Sequence, residues 1–319
     1  MIDFKNYDEQ IEILKQRGLT IANEDKAKNI LKVNNYYNVV NAYKDIFIQK
    51  GFTPEKFIEG VTFEELCALH KFDKDLRLIL SNVLIVIERT FKSIIAYEFS
   101  KNCPNHNFDY LNIAKYNTIK VARIQDEESE PVLLAAQLIR ELNKELNNSI
   151  DYNDEMICHY KAKYNQVPLW VFVNKLSFGT MSKMYSALQA QDQANIAKSI
   201  KDIIGRNVYA NEIKNAIKVL VILRNRAAHD QRIYDFNSAP ITVNGKNPFL
   251  SKYNLKDVQS LFGALGCMSI FLTPDDFGVL ISRVKQLINE LFLSIHSIPT
   301  KAILDKMGIP SAFLSGDEN

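Results

Sequence analysis

The chain has 319 residues, of which 47% are hydrophobic and 24% charged, and 39 basic against 37 acidic residues give a net charge of +2. This balance excludes a protein that coats nucleic acid nonspecifically, so any nucleic-acid site must be a local basic patch. The longest aliphatic runs, such as 83–87, are too short to cross a membrane, and the N-terminus has no signal-peptide core. The four cysteines form no C-x-x-C pair, which argues against a zinc site or a disulfide framework and fits a cytoplasmic protein.

The low content of helix breakers predicts an all-α fold. Only 11 Gly and 9 Pro interrupt the chain, and long segments show the periodicity of an amphipathic helix. We expect an N-terminal helical region over 1–60, a helical core over 61–240 and a C-terminal helical extension over 241–319.

Two short helices and an aromatic segment are predicted in the N-terminal region. Phe4–Arg17 forms a first helix ended by Gly18, and Asn23 caps a second helix that runs to about Val33. The segment 34–47 that follows is rich in tyrosine and phenylalanine. We expect it to pack as an aromatic cluster where short helices meet, and a base-stacking surface is the alternative.

The longest periodic segment begins at a T-x-x-E capping box at 62–65 and keeps one apolar face to about Ser100. One long helix satisfies this pattern, and so do two nearly collinear helices with a break at 72–75. Glu88 and Arg89 interrupt the apolar second half of the segment. A lone glutamate beside an apolar stripe usually turns towards water.

A second charge on an apolar stripe occurs much later in the chain. Apolar residues at 213, 217 and 220 share one helical face with Arg224. An unpaired charge in an apolar interior is costly, and pairing Arg224 with Glu88 would satisfy both groups. We therefore expect an interior ion pair whose disruption costs about 3–5 kcal/mol.

The same helix carries a suggestive hexad at its end. On a straight helix, Arg224 and His229 lie about 140° apart. Asn225 and Arg226 are neighbours of His229 at i, i+4 and i, i+3 spacing, so both can lie beside the imidazole. The alanines at 227–228 leave room for another backbone or a substrate. The alternative is a basic helix end, where Arg and His favour the helix dipole.

The remaining predicted elements are helices around this one. Pro168-Leu169-Trp170 begins a short apolar helix, and we expect Trp170 to be buried against a neighbouring helix. An amphipathic helix over 191–204 is stopped by Gly205. Further helices are predicted over 255–272, from a strong start at 273–276, and over 298–307.

The hexad also carries a family resemblance. Arg224 to His229 resembles the R-x4-H motif of HEPN-type ribonucleases, and the longer string RNRAAHDQRIY is similar to the Abi family of abortive-infection proteins, of the AbiD/AbiF type. The turn at 17–19, the segment 88–100 and the W-x6-SFG motif at 170–179 resemble the same family. Family members often end in Gly-Phe-Pro and a Trp, whereas 308–310 here is Gly-Ile-Pro. The resemblance implies a HEPN-like multi-helix bundle.

The chemistry that fits is RNA cleavage without a metal or another cofactor. The chain has no P-loop, H-E-x-x-H or G-x-S-x-G motif, and the residues around the hexad are basic or amide rather than carboxylate. RNA supplies its own 2′-hydroxyl nucleophile, so the protein need only transfer protons and stabilise a phosphorane. The candidate roles are catalytic for Arg224, Asn225 and His229, RNA-binding for Arg226 and Arg232, and supporting for Glu88 and Arg89.

The resemblance also implies partners. HEPN proteins are typically homodimers, and two-fold symmetry would supply a second His229 as the other proton-transfer group. RNA is the expected substrate and a small noncoding RNA a second partner, while the need for a 2′-hydroxyl excludes DNA. The function implied is an endoribonuclease of abortive infection against phage. The alternative is a non-catalytic RNA-binding or antitoxin-like module.

Overall fold

The computed structural model describes residues 3–103, 108–117, 120–121, 132–238, 247–254 and 258–314. The fold of these residues is all-α, as predicted. Within these residues, no helix is both long and apolar enough to cross a membrane. Two antiparallel ladders of two-residue strands, β1 with β2 and β3 with β4, accompany the helices. The strands are β1 Ile48–Gln49, β2 Lys56–Phe57, β3 Lys120–Val121 and β4 Val132–Leu133. The α-helices are α1 Tyr7–Gln16, α2 Glu24–Asn34, α3 Phe63–Lys101, α4 Leu134–Asp151, α5 Glu155–Tyr164, α6 Leu169–Phe172, α7 Phe178–Ala187, α8 Ala190–Ile204, α9 Ala210–Ala228, α10 Pro248–Lys252, α11 Leu261–Met268, α12 Pro274–Phe292 and α13 Thr300–Met307.

The central element is α3, a single helix of 39 residues without a break at 72–75. Its start is the predicted capping box, in which the Thr62 side chain accepts from the N–H of Glu65 and the Glu65 carboxylate accepts from the N–H of Thr62. Because one face is apolar throughout, α3 can pack along its length against α6, α7, α8, α9 and α12. It is therefore the frame on which the other helices are placed.

The second frame element is α9, which contacts α3, α7, α8 and α11. It starts at Ala210, directly after the N-cap residue Tyr209, and its last helical residue is Ala228. The apolar residues of its inner face are fully buried between these neighbours. The hexad at 224–229 thus lies where α9 leaves the core and faces α3.

The predicted helix over 255–272 is wrong in its extent. Within the described part of that range, only Leu261–Met268 is α-helical. The backbone of Val258 folds back so closely on Gly263 that a Cβ at Gly263 would lie 2.4 Å from the Val258 Cα. The helix therefore starts at the Ser260 cap, and the proposed domain boundary at 240 lies outside the described residues.

Trp170 is not buried, contrary to the expectation. Helix α6 has only four residues, and Leu169, Val171 and Phe172 occupy its inward positions. Trp170 points outward and is 53% exposed. The buried residues on either side of Trp170 therefore fix its backbone while its side chain remains exposed to solvent.

Candidate functional site

The ion pair predicted between Arg224 and Glu88 is present. Arg224 Nε donates to Glu88 Oε2 over 3.1 Å and so joins the last turn of α9 to α3. The other carboxylate oxygen of Glu88 forms an ion pair with Lys92 Nζ at 2.8 Å. Each oxygen of Glu88 therefore has its own cationic partner.

The burial expected of this pair is confirmed for Glu88 and wrong for Arg224. The side chain of Arg224 is 38% exposed and that of Glu88 is 11% exposed, because the pair lies in the wall of an open groove. The groove has a volume of about 880 Å³, follows the second half of α3 and is also lined by Arg89. Solvent screens Arg224, so the cost of breaking the pair is smaller than for a fully buried one.

We expect an interaction free energy on the order of 1 kcal/mol between Arg224 and Glu88, between the values for exposed and buried pairs. A double-mutant cycle of Arg224→Ala and Glu88→Ala, followed by urea unfolding, measures it. Arg89→Ala is the matched control, because Arg89 lines the same groove and makes no ion pair with any described residue. A coupling free energy above about 3 kcal/mol would show that the pair is buried. A coupling free energy near zero would show that the pair does not form.

His229 lies on a different concave surface from Arg224. It follows the last residue of α9 as the C-cap, and its backbone N–H donates to the Asn225 carbonyl at 3.1 Å. Its exposed side chain lines a cleft of about 630 Å³ between the end of α9, α3 and the segment 33–43. Arg224 lines the groove instead. One chain thus does not bring Arg224 and His229 into a common pocket.

The side chain of Asn225 makes no hydrogen bond to the imidazole of His229 among the described residues. The residue is exposed, and its amide makes no hydrogen bond within the described part of the chain. Its link to His229 is the backbone hydrogen bond of the last helical turn. A hydrogen bond from the Asn225 amide to the imidazole would require the side chain to reorient.

A second histidine, which no motif of the sequence singles out, shares the cleft with His229. His70 on α3 is half-buried, and its ring meets Tyr43 edge-on with 5.5 Å between centroids. Burial, together with the positive charges of Arg77 and Lys74, lowers the pKa of His70 below its usual range. The lowered pKa favours the neutral form of the His70 imidazole.

Arg77 ties α3 to the segment that follows His229. Its guanidinium donates to the Gln231 carbonyl oxygen at 3.1 Å and pairs with Asp230 at 2.6 Å. Asp230 has a left-handed backbone, with φ of 55°, so the chain turns sharply just after His229. The contacts from Arg77 hold that turn against α3 and so set the wall of the cleft.

Asp73 anchors the same segment from beneath. Its carboxylate is fully buried and accepts the backbone N–H groups of Ile233 and Tyr234 at 3.0 and 2.6 Å. It also accepts Arg77 Nη1 at 2.8 Å and the Tyr43 hydroxyl at 2.9 Å. Burial raises the pKa of Tyr43, so this hydroxyl remains a donor. No motif of the sequence singles out Asp73 or Arg77.

The two predicted RNA-binding arginines are both engaged by their own chain. Arg226 donates to the Asn237 carbonyl oxygen at 3.1 Å and lies over the Phe236 ring at 5.1 Å. Arg232 lines the cleft and pairs with Asp45 at 3.2 Å and with Asp235. A phosphate bound by either arginine would share it with these partners.

A comparison with family models shows which protein family the chain belongs to. The model described as Abi-like protein matches residues 29–235. The chain belongs to the Abi-like family. Membership associates it with abortive infection, and the matched range contains the cleft, the groove and the network around Asp73. No significant match was found among curated proteins or among solved structures.

Proposed function

We propose that the protein is a metal-independent endoribonuclease of the HEPN type, related to the AbiD/AbiF branch, that acts in the cytoplasm in abortive infection. The observation that carries this proposal is the cleft in which exposed His229 lies with His70, Arg77 and Arg232. Two imidazoles with cations around them are the groups that metal-free phosphodiester cleavage requires. Family membership supports the biological setting.

The proposed reaction uses the 2′-hydroxyl of the RNA. A base removes the hydroxyl proton while the oxygen bonds to phosphorus, and an acid protonates the 5′-oxygen as the P–O5′ bond breaks. The products are a 2′,3′-cyclic phosphate and a 5′-hydroxyl end. His229 supplies one of the two proton-transfer groups, and DNA is no substrate because it lacks the nucleophile.

The cations contribute through charge. We propose that Arg224 stabilises the anionic transition state and that Arg226 and Arg232 bind neighbouring phosphates at the rim of the cleft. Arg224 faces the groove rather than the cleft of its own chain, so this role needs a second subunit. Glu88 orients Arg224, and Arg89 adds positive charge beside it.

We therefore propose a two-fold homodimer with both 224–229 segments at one shared site. Small residues at 227–228 allow close approach of two helix ends. On the adjacent face of α3, Leu78 and Val86 are 58% and 43% exposed and offer an apolar surface for a second copy. A small noncoding RNA is the other proposed partner.

Mixed dimers test the shared site. If both His229 groups act together, equal mixing of wild type with His229→Ala should leave about a quarter of the wild-type activity, because only one dimer in four keeps both imidazoles. The measurement is cleavage rate against mixing ratio, with the solution mass of the active species. A residual activity of about half would instead assign the second group to His70 of the same chain, and a strictly monomeric active enzyme would refute the dimer.

The direct test of the proposal is cleavage of total RNA by the purified protein in EDTA. Sequencing of 5′-hydroxyl ends should reveal new ends that are absent from untreated RNA. The rival is a non-catalytic RNA-binding or antitoxin-like module, which shares the fold and partner. RNA binding without any new 5′-hydroxyl ends would favour the rival.

A further inference from the structure

The groove beside Arg224 is strongly basic for a nearly neutral protein. Four cationic side chains and one carboxylate, Glu88, line it, so the lining carries a net charge of +3. The whole chain carries +2. The cations other than Arg224 are Arg89, Lys92 and Lys101. This is the local basic patch that a polyanion requires.

Two of these cations are free to bind a ligand. Arg89 and Lys101 make no ion pair with any described residue, whereas Glu88 holds both Arg224 and Lys92. Lys92 and Arg224 therefore keep fixed positions, and Arg89 and Lys101 can reach towards an incoming anion. Three of the four cations lie on α3, between residues 89 and 101, and Arg224 joins them from α9, so the positive charge is spread along the groove and favours an extended anion over a compact one.

Two aromatic rings stand in solvent over the same groove. Trp170 is 53% exposed and Tyr97 is 64% exposed, and both line it. The buried neighbours of Trp170 on α6 hold its backbone rigidly, so the indole is presented at low entropic cost. An exposed, anchored tryptophan next to cations is the arrangement on which unpaired bases stack.

We propose that this groove binds single-stranded RNA, with phosphates on the α3 cations and an unpaired base on Trp170. From Ile85 to Lys101, the groove wall extends about 24 Å along α3, which spans several nucleotides. A double helix would hide its bases from the indole, and an acidic peptide would leave both rings unused. The proposal rests on the proposed function only in taking RNA as the partner.

The groove and the His229 cleft are consecutive along α3. Spacings of seven and eleven residues put His70, Arg77 and Glu88 on one stripe of the helix, and Arg77 lies about 17 Å from Glu88 along its axis. The ion pairs of Arg77 and Glu88 place the end of α9 over that stripe. A strand held in the groove is thereby directed towards His229.

The test uses Trp170 as a built-in reporter, because it is the only tryptophan of the chain. Tryptophan emission of the full-length protein is titrated with a ten-nucleotide 2′-O-methyl oligoadenylate, which binds but cannot be cleaved. We expect saturable quenching that weakens with salt, with a slope of about −0.7 for each phosphate contact. By anisotropy of the labelled oligonucleotide, Trp170→Ala should weaken binding about 5- to 100-fold, and Trp170→Phe much less. Lys101→Ala should reduce the salt slope.

Matched controls are Lys144→Ala on α4 and Tyr152→Ala directly after that helix, both exposed residues outside the groove, which should leave binding unchanged. Equal affinity for adenosine monophosphate would overturn the proposal in favour of a mononucleotide site. Tryptophan emission that changes with protein concentration but not with oligonucleotide concentration would mean that a second copy of the chain occupies the groove. Cleavage of RNA without quenching of Trp170 would refute RNA binding in the groove and leave the nuclease proposal intact. Quenching without any RNA cleavage by the wild-type protein would refute the nuclease proposal and leave RNA binding in the groove intact.

Discussion

His229→Ala should lower the rate of RNA cleavage by about 10²–10⁴-fold and remove growth inhibition, because the imidazole is expected to transfer a proton in the transition state. The fold should be unaffected, since His229 is exposed at the end of α9 and holds the helix through its backbone N–H. The measurement is the initial rate on a labelled RNA in EDTA, with circular dichroism and a urea midpoint for each preparation.

The matched control is His159→Ala. His159 is also an exposed histidine on a helix, α5, but it lines neither the cleft nor the groove. Its replacement should leave the rate unchanged, which excludes a general effect of losing a histidine. Equal rates for wild type and His229→Ala in matched preparations would refute the enzymatic proposal and leave RNA binding as the function.

The part of this site that could be predicted is the part with local signals. The capping box at 62–65 and the unbroken apolar face after it predict α3, and two charges on apolar stripes predict the pair of Glu88 with Arg224. Helical periodicity does not determine how deeply the Glu88 and Arg224 side chains are buried. A stripe shows which residues face a neighbouring helix, but the curvature of the surface between two helices depends on every element that packs there.

The missed residues are polar groups that pair across long sequence separations. Asp73 and Arg77 lie at i, i+4 on α3, a spacing that is more often an exposed surface pair. Their partners include backbone groups of the segment 231–234, which no side-chain pattern reveals. The available signal was their position among buried leucines and phenylalanines of α3, where an unpaired charge would be too costly.

The surroundings of His70 and Trp170 could not be predicted from the sequence for related reasons. His70 looks like an ordinary histidine of a helix until the segment 33–43 folds over α3 and makes a cleft around it. Trp170 looks like a core residue because its three helical neighbours are apolar, yet a helix of four residues buries one side and leaves the other exposed. In both cases tertiary packing, rather than local sequence, decides the exposure.

Asp73→Ala should lower the free energy of unfolding by about 3–5 kcal/mol, the largest stability effect we expect in the site. The carboxylate has no exposure and is the acceptor for Tyr43, Arg77 and two backbone N–H groups. Without it, buried donors are left unsatisfied, at about 1–3 kcal/mol each when no water replaces the oxygen. Urea unfolding measures the loss, and Asp73→Asn, which keeps one acceptor oxygen, should give an intermediate value if Asp73→Ala does not fold.

The matched control for this effect is Asp75→Ala. Asp75 pairs with Lys71 at the same i, i+4 spacing on the same helix, but the pair is solvent-exposed, so its loss should change stability by less than about 0.5 kcal/mol. Hydrogen exchange then separates a local role from a global one. In Asp73→Asn, the amides of Ile233 and Tyr234 should exchange faster than the rest of the core, because the carboxylate holds that segment against α3. Unchanged protection of both amides, with a loss below about 1 kcal/mol, would mean that Asp73 does not anchor the wall of the His229 cleft.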